Sequence, residues 1–149
     1  MEIERIDGKG DEDGGGEGDV ADAMSVRRAV FVDEQGVPED VERDGKDAEA
    51  IHFVAYDDGD PIGAARLREA EAGAAKIERV AVRPARRGEG IGRRLMSAAE
   101  DAAAREGYRR VVLHAQASVV AFYLRMGYET VGERFEEAGI DHQRMEKPL

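Results

Sequence analysis

One stretch constrains this chain more than any other: between Lys76 and Gly107 an alternating segment runs through a glycine-rich turn into an amphipathic one. Lys76–Val82 alternates and is rich in Val and Ile, which predicts a strand, and Pro84 ends it. Arg86-Arg87-Gly88-Glu89-Gly90-Ile91-Gly92 predicts a turn. Ile91, Leu95, Ala98, Ala99 and Ala102 then recur on one helical face, while Arg93, Arg94, Ser97, Asp101 and Arg105 fall elsewhere. Gly107 is the expected stop. A glycine turn feeding a helix leaves backbone N–H groups unpaired at the positive end of the helix dipole, which suits a phosphate. Arg79, Arg83, Arg86, Arg87, Arg93 and Arg94 stand there against one acid, Glu89, in a chain of formal net charge −11. The turn is therefore expected to hold a polyanion.

Other glycine fingerprints fit this turn poorly. A Walker loop ends Gly-Lys-Ser/Thr, whereas Gly92 precedes Arg93-Arg94; a dinucleotide loop spaces its glycines G-x-G-x-x-G, whereas Gly88, Gly90 and Gly92 alternate. Arg87-Gly88-Glu89-Gly90-Ile91-Gly92 instead resembles the Arg/Gln-x-x-Gly-x-Gly/Ala signature of the GNAT acetyltransferase superfamily, placed after a strand of the right kind. That resemblance implies that the amides of Arg87 to Gly92 hold the pyrophosphate of acetyl-coenzyme A. A second stretch, Arg27-Arg28-Ala29-Val30-Phe31-Val32-Asp33-Glu34-Gln35-Gly36-Val37-Pro38 followed by Asp44, Asp47 and His52, resembles the ElaA/YjcF-like branch of the superfamily. There the corresponding segment ends the first helix beside the acceptor site, which implies that Glu34 and Gln35 contact the acceptor. Without the resemblance they read equally as a polar helix end.

The length of 149 residues fits one domain, 1–149, with an ordinary core. The polar start MEIERIDGKG and the lack of any apolar run near ~20 residues give no leader or membrane span, so a cytoplasmic protein is expected. With no Cys, disulfides, thiolate metal sites and a cysteine nucleophile are excluded. The three His, at 52, 114 and 142, lack ligand spacing, and no metal is expected. Residues 1–60 hold 20 acidic and 6 basic side chains, which disfavours nucleic acid as a partner. With only four Lys in the chain, an acidic, lysine-poor surface fits a salt-rich, halophilic cytoplasm, where charge repulsion is screened.

Taken in order, Met1–Ile6 predicts a strand, and Asp7–Asp19 is too rich in Gly and acid to bury apolar area, so a flexible loop is expected. Its carboxylates lack EF-hand spacing. Asp19 caps a helix from Val20 to about Val32. Ala50–Tyr56 and Ile62–Arg68 predict strands joined by an Asp57-Asp58-Gly59-Asp60 hairpin turn. After the central helix come a strand Arg110–Ala115, a helix Ser118–Met126, and strands Tyr128–Phe135 and Ile140–Lys147. The order β-α-β-β-β-α-β-α-β-β, an α+β chain with helices on both faces of a mostly antiparallel sheet, agrees with the GNAT fold.

The resemblance implies a direct transfer of acetyl to an amine, without a covalent intermediate, in a monomer or homodimer. Such a transfer needs a neutral nucleophile, a polarised thioester and a proton for the departing thiolate. In the superfamily the main chain of the central strand, here Val80, Ala81 and Val82, contacts the pantetheine and thioester. Tyr123, in Ala121-Phe122-Tyr123-Leu124-Arg125-Met126-Gly127-Tyr128, matches the position of the general acid. Val119, Phe122, Tyr123 and Met126 share one predicted helix face, so residues alone read Tyr123 as core. Gln116 stands where relatives carry a cofactor-binding Asn. Glu78 matches the position of a base acting through water, with Glu34 and His142 as competitors; its alternation with Ile77 and Arg79 reads equally as a solvent-facing or ion-paired Glu. Phe135 to Met145 resembles the segment lining the branch's acceptor pocket, which brings in Glu137 and His142, and an imidazole's ordinary pKa near ~6.5 suits a proton acceptor. Glu34, Glu78 and Glu137 would suit a cationic acceptor amine. A silent acyl-coenzyme A binding module on the same fold is the alternative.

Overall fold

A computed structural model describes residues 1–8 and 19–149. Residues 9–18, most of the glycine-acidic loop expected over Asp7–Asp19, lie outside the described residues.

The strands are β1 (Glu2–Asp7), β2 (Ile51–Asp57), β3 (Asp60–Glu71), β4 (Ala74–Val82), β5 (Arg110–Gln116), β6 (Glu129–Glu137) and β7 (Ile140–Pro148). They form one sheet in the order β1-β2-β3-β4-β5-β7-β6. Every neighbouring pair is antiparallel except β4 and β5, which run parallel. The helices are α1 (Val20–Arg27), α2 (Glu39–Glu42), α3 (Ile91–Arg105) and α4 (Val120–Arg125). The expected succession of strands and longer helices is observed, with the short α2 added.

Strand alternation sorts the core into two layers. On β2, Phe53 and Ala55 face one side with Leu67, Ile77, Leu113 and the apolar stripe of α3. Val54 and Tyr56 face the other, against Ile6 of β1 and Ala23, Val26 and Val30 on and beyond α1. Gly63 lets α3 approach: a Cβ there would meet Leu95 Cδ1 at 2.9 Å and Ile91 Cγ2 at 3.0 Å. The β2–β3 turn is a tight hairpin, with Asp58 and Gly59 both at positive φ, 49° and 82°.

Three departures from the regular pattern shape what lies between the strands. First, β4 and β5 pair only from Ala74–Lys76 to Arg110–Val112, so the rest of β4 has no strand partner on that side. Second, β4 carries a bulge where Arg79 and Val80 together oppose Ala65, and Arg79 takes a positive φ of 57°. Third, α1 passes into a wide π-helical segment, Arg28–Glu34, in which Gln35 N–H donates to Val30 O at 3.1 Å. The first helical run thus ends two residues beyond the expected Val32. The last helix also corrects an expectation: Ala117–Val119 is a separate 3-10 turn and Val119 is exposed, so α4 buries Tyr123, with Val120 and Phe122 partly covered and Met126 buried just past its end.

Candidate active site

A network of buried ion pairs builds one wall of the site. Arg66 on β3 is wholly buried and donates to Asp44 (2.7 and 2.9 Å), Asp47 (3.0 Å) and Glu78 (2.6 Å). Arg27, at the end of α1, donates to Glu42 (2.9 Å) and Asp47 (2.7 Å). The bulged Arg79 reaches Glu42 Oε2 at 2.7 Å and its main-chain carbonyl at 3.1 Å. These contacts tie the segment from α2 to β2 across the sheet. Asp44 is held far below its ordinary range, foremost by the Arg66 hydrogen bond. Burial pushes the Asp47 carboxyl up, and hydrogen bonds and charge from Arg27 and Arg66 bring it below its ordinary value. His52, buried beside them, is pushed down by burial and donates Nε2–H to Asp47 O at 2.9 Å.

A cleft of about 300 Å³ opens where β4 leaves β5. Ile77, Val80 and Leu113 line it together with Tyr123, His114, Glu137 and His142. Tyr123 is 7% exposed, and its hydroxyl has no hydrogen-bond partner among the described residues. Burial raises its pKa to about 12. His142 Nδ1 lies 2.7 Å from Ile140 O, an acceptor, so Nδ1 carries a proton and in the neutral tautomer the lone pair is on Nε2. Phe135 stacks on His142 with ring centres 6.0 Å apart and meets His114 edge-on at 4.9 Å. His114 Nδ1 donates to Glu137 Oε2 at 3.0 Å, and this bond is the main reason that the Glu137 carboxyl lies below its ordinary value.

Three of the site residues expected from the sequence are engaged elsewhere in the structure. Glu78 lines the cleft, but its carboxylate is bonded to Arg66 and Arg68, with Lys76 at 3.6 Å. Burial favours its neutral form, yet the three cations overcome that and hold it below 4.5, which makes it a poor proton acceptor. Glu34 and Gln35 do not line the cleft; Phe31 does. The wide turns carry Glu34 to Arg87 on the glycine loop (2.5 and 2.7 Å), while Gln35 exchanges hydrogen bonds with Gln116 (2.9 and 3.4 Å). Sequence reading assigned no role to Glu42, Arg66, Arg68 and His114, whose pairings span distant segments; of the buried network only Arg27, Asp44, Asp47 and His52 fell within the stretch that carried the resemblance.

The glycine loop fits a pyrophosphate. Gly88 and Gly90 take positive φ, 83° and 80°, and a Cβ on either would meet nothing within 4 Å, so both backbones border open space. Gly90 is the N-cap of α3 without a side-chain cap, and from Gly88 to Arg93 the amides have no partner among the described residues. The positive charge is more dispersed than the sequence implied. Arg79 and Arg83 are drawn to Glu42 and to Pro61 O with Ser25, and Arg86 pairs with Asp57 and Glu89. Arg93 and Arg94 remain exposed and without an ion pair among the described residues. No helix among those residues is long and apolar enough to cross a membrane, and they contain no group of three or more His, Asp or Glu placed to hold a metal ion.

Comparisons agree with this geometry. Residues 14–149 match the family model described as an acetyltransferase (GNAT) domain. Over 127 residues, 85% of this chain and 90% of the relative, the sequence is 42% identical to the N-acetyltransferase YjcF of Bacillus subtilis (strain 168), itself uncharacterized. Among solved structures, an acyl-CoA N-acyltransferase from Pseudomonas aeruginosa superposes with a TM-score of 0.78 at 35% identity, covering 86% of this chain and 89% of that one. ElaA of Escherichia coli superposes with a TM-score of 0.84 at 28% identity, covering 99% of both chains. A divergent parallel strand pair, an uncapped glycine loop and these likenesses lead to one conclusion: the chain belongs to the GNAT N-acetyltransferase family, in its ElaA/YjcF-like branch.

Proposed function

We propose that this chain carries acetyl from acetyl-coenzyme A directly to a primary amine of a small molecule or peptide within a ternary complex. The observation that carries the reading is the Tyr123 side chain, buried but for 7% of its surface and with its hydroxyl unpartnered among the described residues, in a cleft that opens at the β4–β5 divergence. When bound, acetyl-coenzyme A supplies an activated thioester. The main chain of Val80, Ala81 and Val82 orients the acyl group, and the amides of Arg87, Gly88, Glu89, Gly90, Ile91 and Gly92 hold the pyrophosphate, with Gln116 beside them. A C–N bond forms as the C–S bond breaks. The proton lost by the amine goes to His142 Nε2, and Tyr123 gives its hydroxyl proton to the thiolate. A phenol held at about 12 stays protonated at neutral pH and so can act as the acid. Glu137 positions His114 at the cleft wall, and Glu34 and Gln35 act on the loop side. In habitat the chain is read as cytoplasmic and adapted to salt, from its net charge of −11 and four Lys.

Calorimetric titration with acetyl-coenzyme A, followed by thiol release against a panel of amines, tests the reading. Amine-dependent release establishes the transferase. Binding with no release from any amine would leave the silent acyl-coenzyme A module, and no binding would sink both.

A further inference from the structure

The carboxylates of the cleft are already used. Glu42 is bonded to Arg27 and Arg79, Asp44 and Glu78 to Arg66, and Glu137 to His114. At Glu42, Asp44 or Glu78 an amine arriving with a second positive charge would have to displace one of these partners, and freeing a buried Arg is costly; Glu137 alone is held by a His, through Oε2. The cations are less committed. Lys46 lines the cleft, is exposed, and its ammonium has no partner among the described residues. Arg68 and Lys76 stand opposite each other in the β3–β4 register. Arg68 donates to Glu78 through Nε alone, which leaves its terminal nitrogens without a partner among the described residues. Lys76 reaches only an oxygen of the same Glu78, at 3.6 Å. Lys46 belongs to this group by connection, since Asp44, two residues before it, is bonded to Arg66, two residues before Arg68. The chain has four Lys, and two of them line this one cleft.

We infer that the acceptor is a primary amine that also bears an anionic group, a carboxylate or a phosphate, which Lys46, Lys76 and Arg68 bind while the amine lies toward Tyr123 and His142. The inference rests on the transferase reading and reverses the cationic acceptor that Glu34, Glu78 and Glu137 implied from sequence. Charge selection here comes from the side chains left over once the buried network is satisfied. An ammonium and a guanidinium on one anion make charge-assisted hydrogen bonds, each strong enough to bias acceptor choice by about tenfold or more.

Thiol release from acetyl-coenzyme A would be measured at low salt with acceptors matched in skeleton: 4-aminobutyrate against butylamine and 1,4-diaminobutane, and glucosamine 6-phosphate against glucosamine. The expected result is a kcat/KM at least about tenfold higher for the member bearing an anionic group than for its monocationic or dicationic counterparts. The two series separate a carboxylate acceptor from a phosphate one. In Lys46→Gln and Lys76→Gln the advantage should shrink by about fivefold or more, through KM. Equal or better use of butylamine or 1,4-diaminobutane, or an advantage untouched by both variants, would overturn the inference while leaving the transferase intact. If no acceptor in the panel reacts, calorimetry of butyrate and of glucose 6-phosphate with the coenzyme A-saturated protein decides. Binding that weakens in both variants supports the anion site, and no binding of either overturns it. Failure to bind acetyl-coenzyme A at all would instead remove the transferase reading beneath it.

Discussion

Arg87 on the glycine loop and Glu34 at the end of the first helical run form a two-pronged ion pair, Nη1 to Oε2 at 2.7 Å and Nη2 to Oε1 at 2.5 Å. The pair holds Glu34 below its ordinary range, foremost through the hydrogen bonds from Arg87, so it persists at neutral pH. A pyrophosphate drawing on Arg87 must compete with this carboxylate.

Glu34→Gln should therefore tighten acetyl-coenzyme A by about two- to fivefold at low salt, with the gain fading as salt screens the loop. Calorimetric Kd values at two ionic strengths check this. Unchanged affinity would mean that Arg87 takes no part in holding the cofactor.

Gly90→Asp should weaken acetyl-coenzyme A by at least about a hundredfold. The residue sits at a φ of +80°, and its side chain would enter the open space beside the uncapped helix end with a negative charge. Far-ultraviolet circular dichroism would verify that α3 survives; a folded variant with normal affinity would place the phosphate elsewhere.

Tyr123→Phe should separate rate from stability. Removing a hydroxyl with no partner among the described residues orphans no other group, so stability should move by less than about 1 kcal/mol. Loss of a positioned acid should lower kcat by roughly 10²–10⁴-fold with cofactor affinity retained. If kcat is normal, the proton comes from another group.

Arg66→Met should destabilise the protein by about 3–5 kcal/mol, because it strands carboxylates in a partly buried cluster. The same network sets acid sensitivity. Asp44, Asp47 and Glu78 lie below their ordinary values of 3.8, 3.8 and 4.5, so over that range the native state binds fewer protons than the unfolded one. Their contribution is fully present above about pH 4.5 and is lost as pH falls through the folded values. Urea titrations at pH 7 and pH 3.5 should show a smaller difference for Arg66→Met than for the parent, and equal differences would assign the acid sensitivity elsewhere.

By itself the sequence determined what local chemistry controls. The stripe of Ile91, Leu95, Ala99 and Ala102 specified α3, the Asp58-Gly59 pair specified a hairpin, and the alternating glycines marked an uncapped helix start and, through the resemblance, the family. Each rests on residues within a few positions of one another, where periodicity and φ preference act directly. Only the tertiary structure decided which charges remain free. Glu78 and Glu34 read as available acids, but Arg66 and Arg68 neutralise the first and Arg87, 53 residues away, captures the second. Coulomb pairing depends on distance in space, and sequence separation does not encode that distance. The same holds for Lys46 and Lys76, ordinary lysines in the chain, which the segment after α2 and the β3–β4 register bring to one cleft, the first without an ion pair among the described residues and the second held only by Glu78 at 3.6 Å.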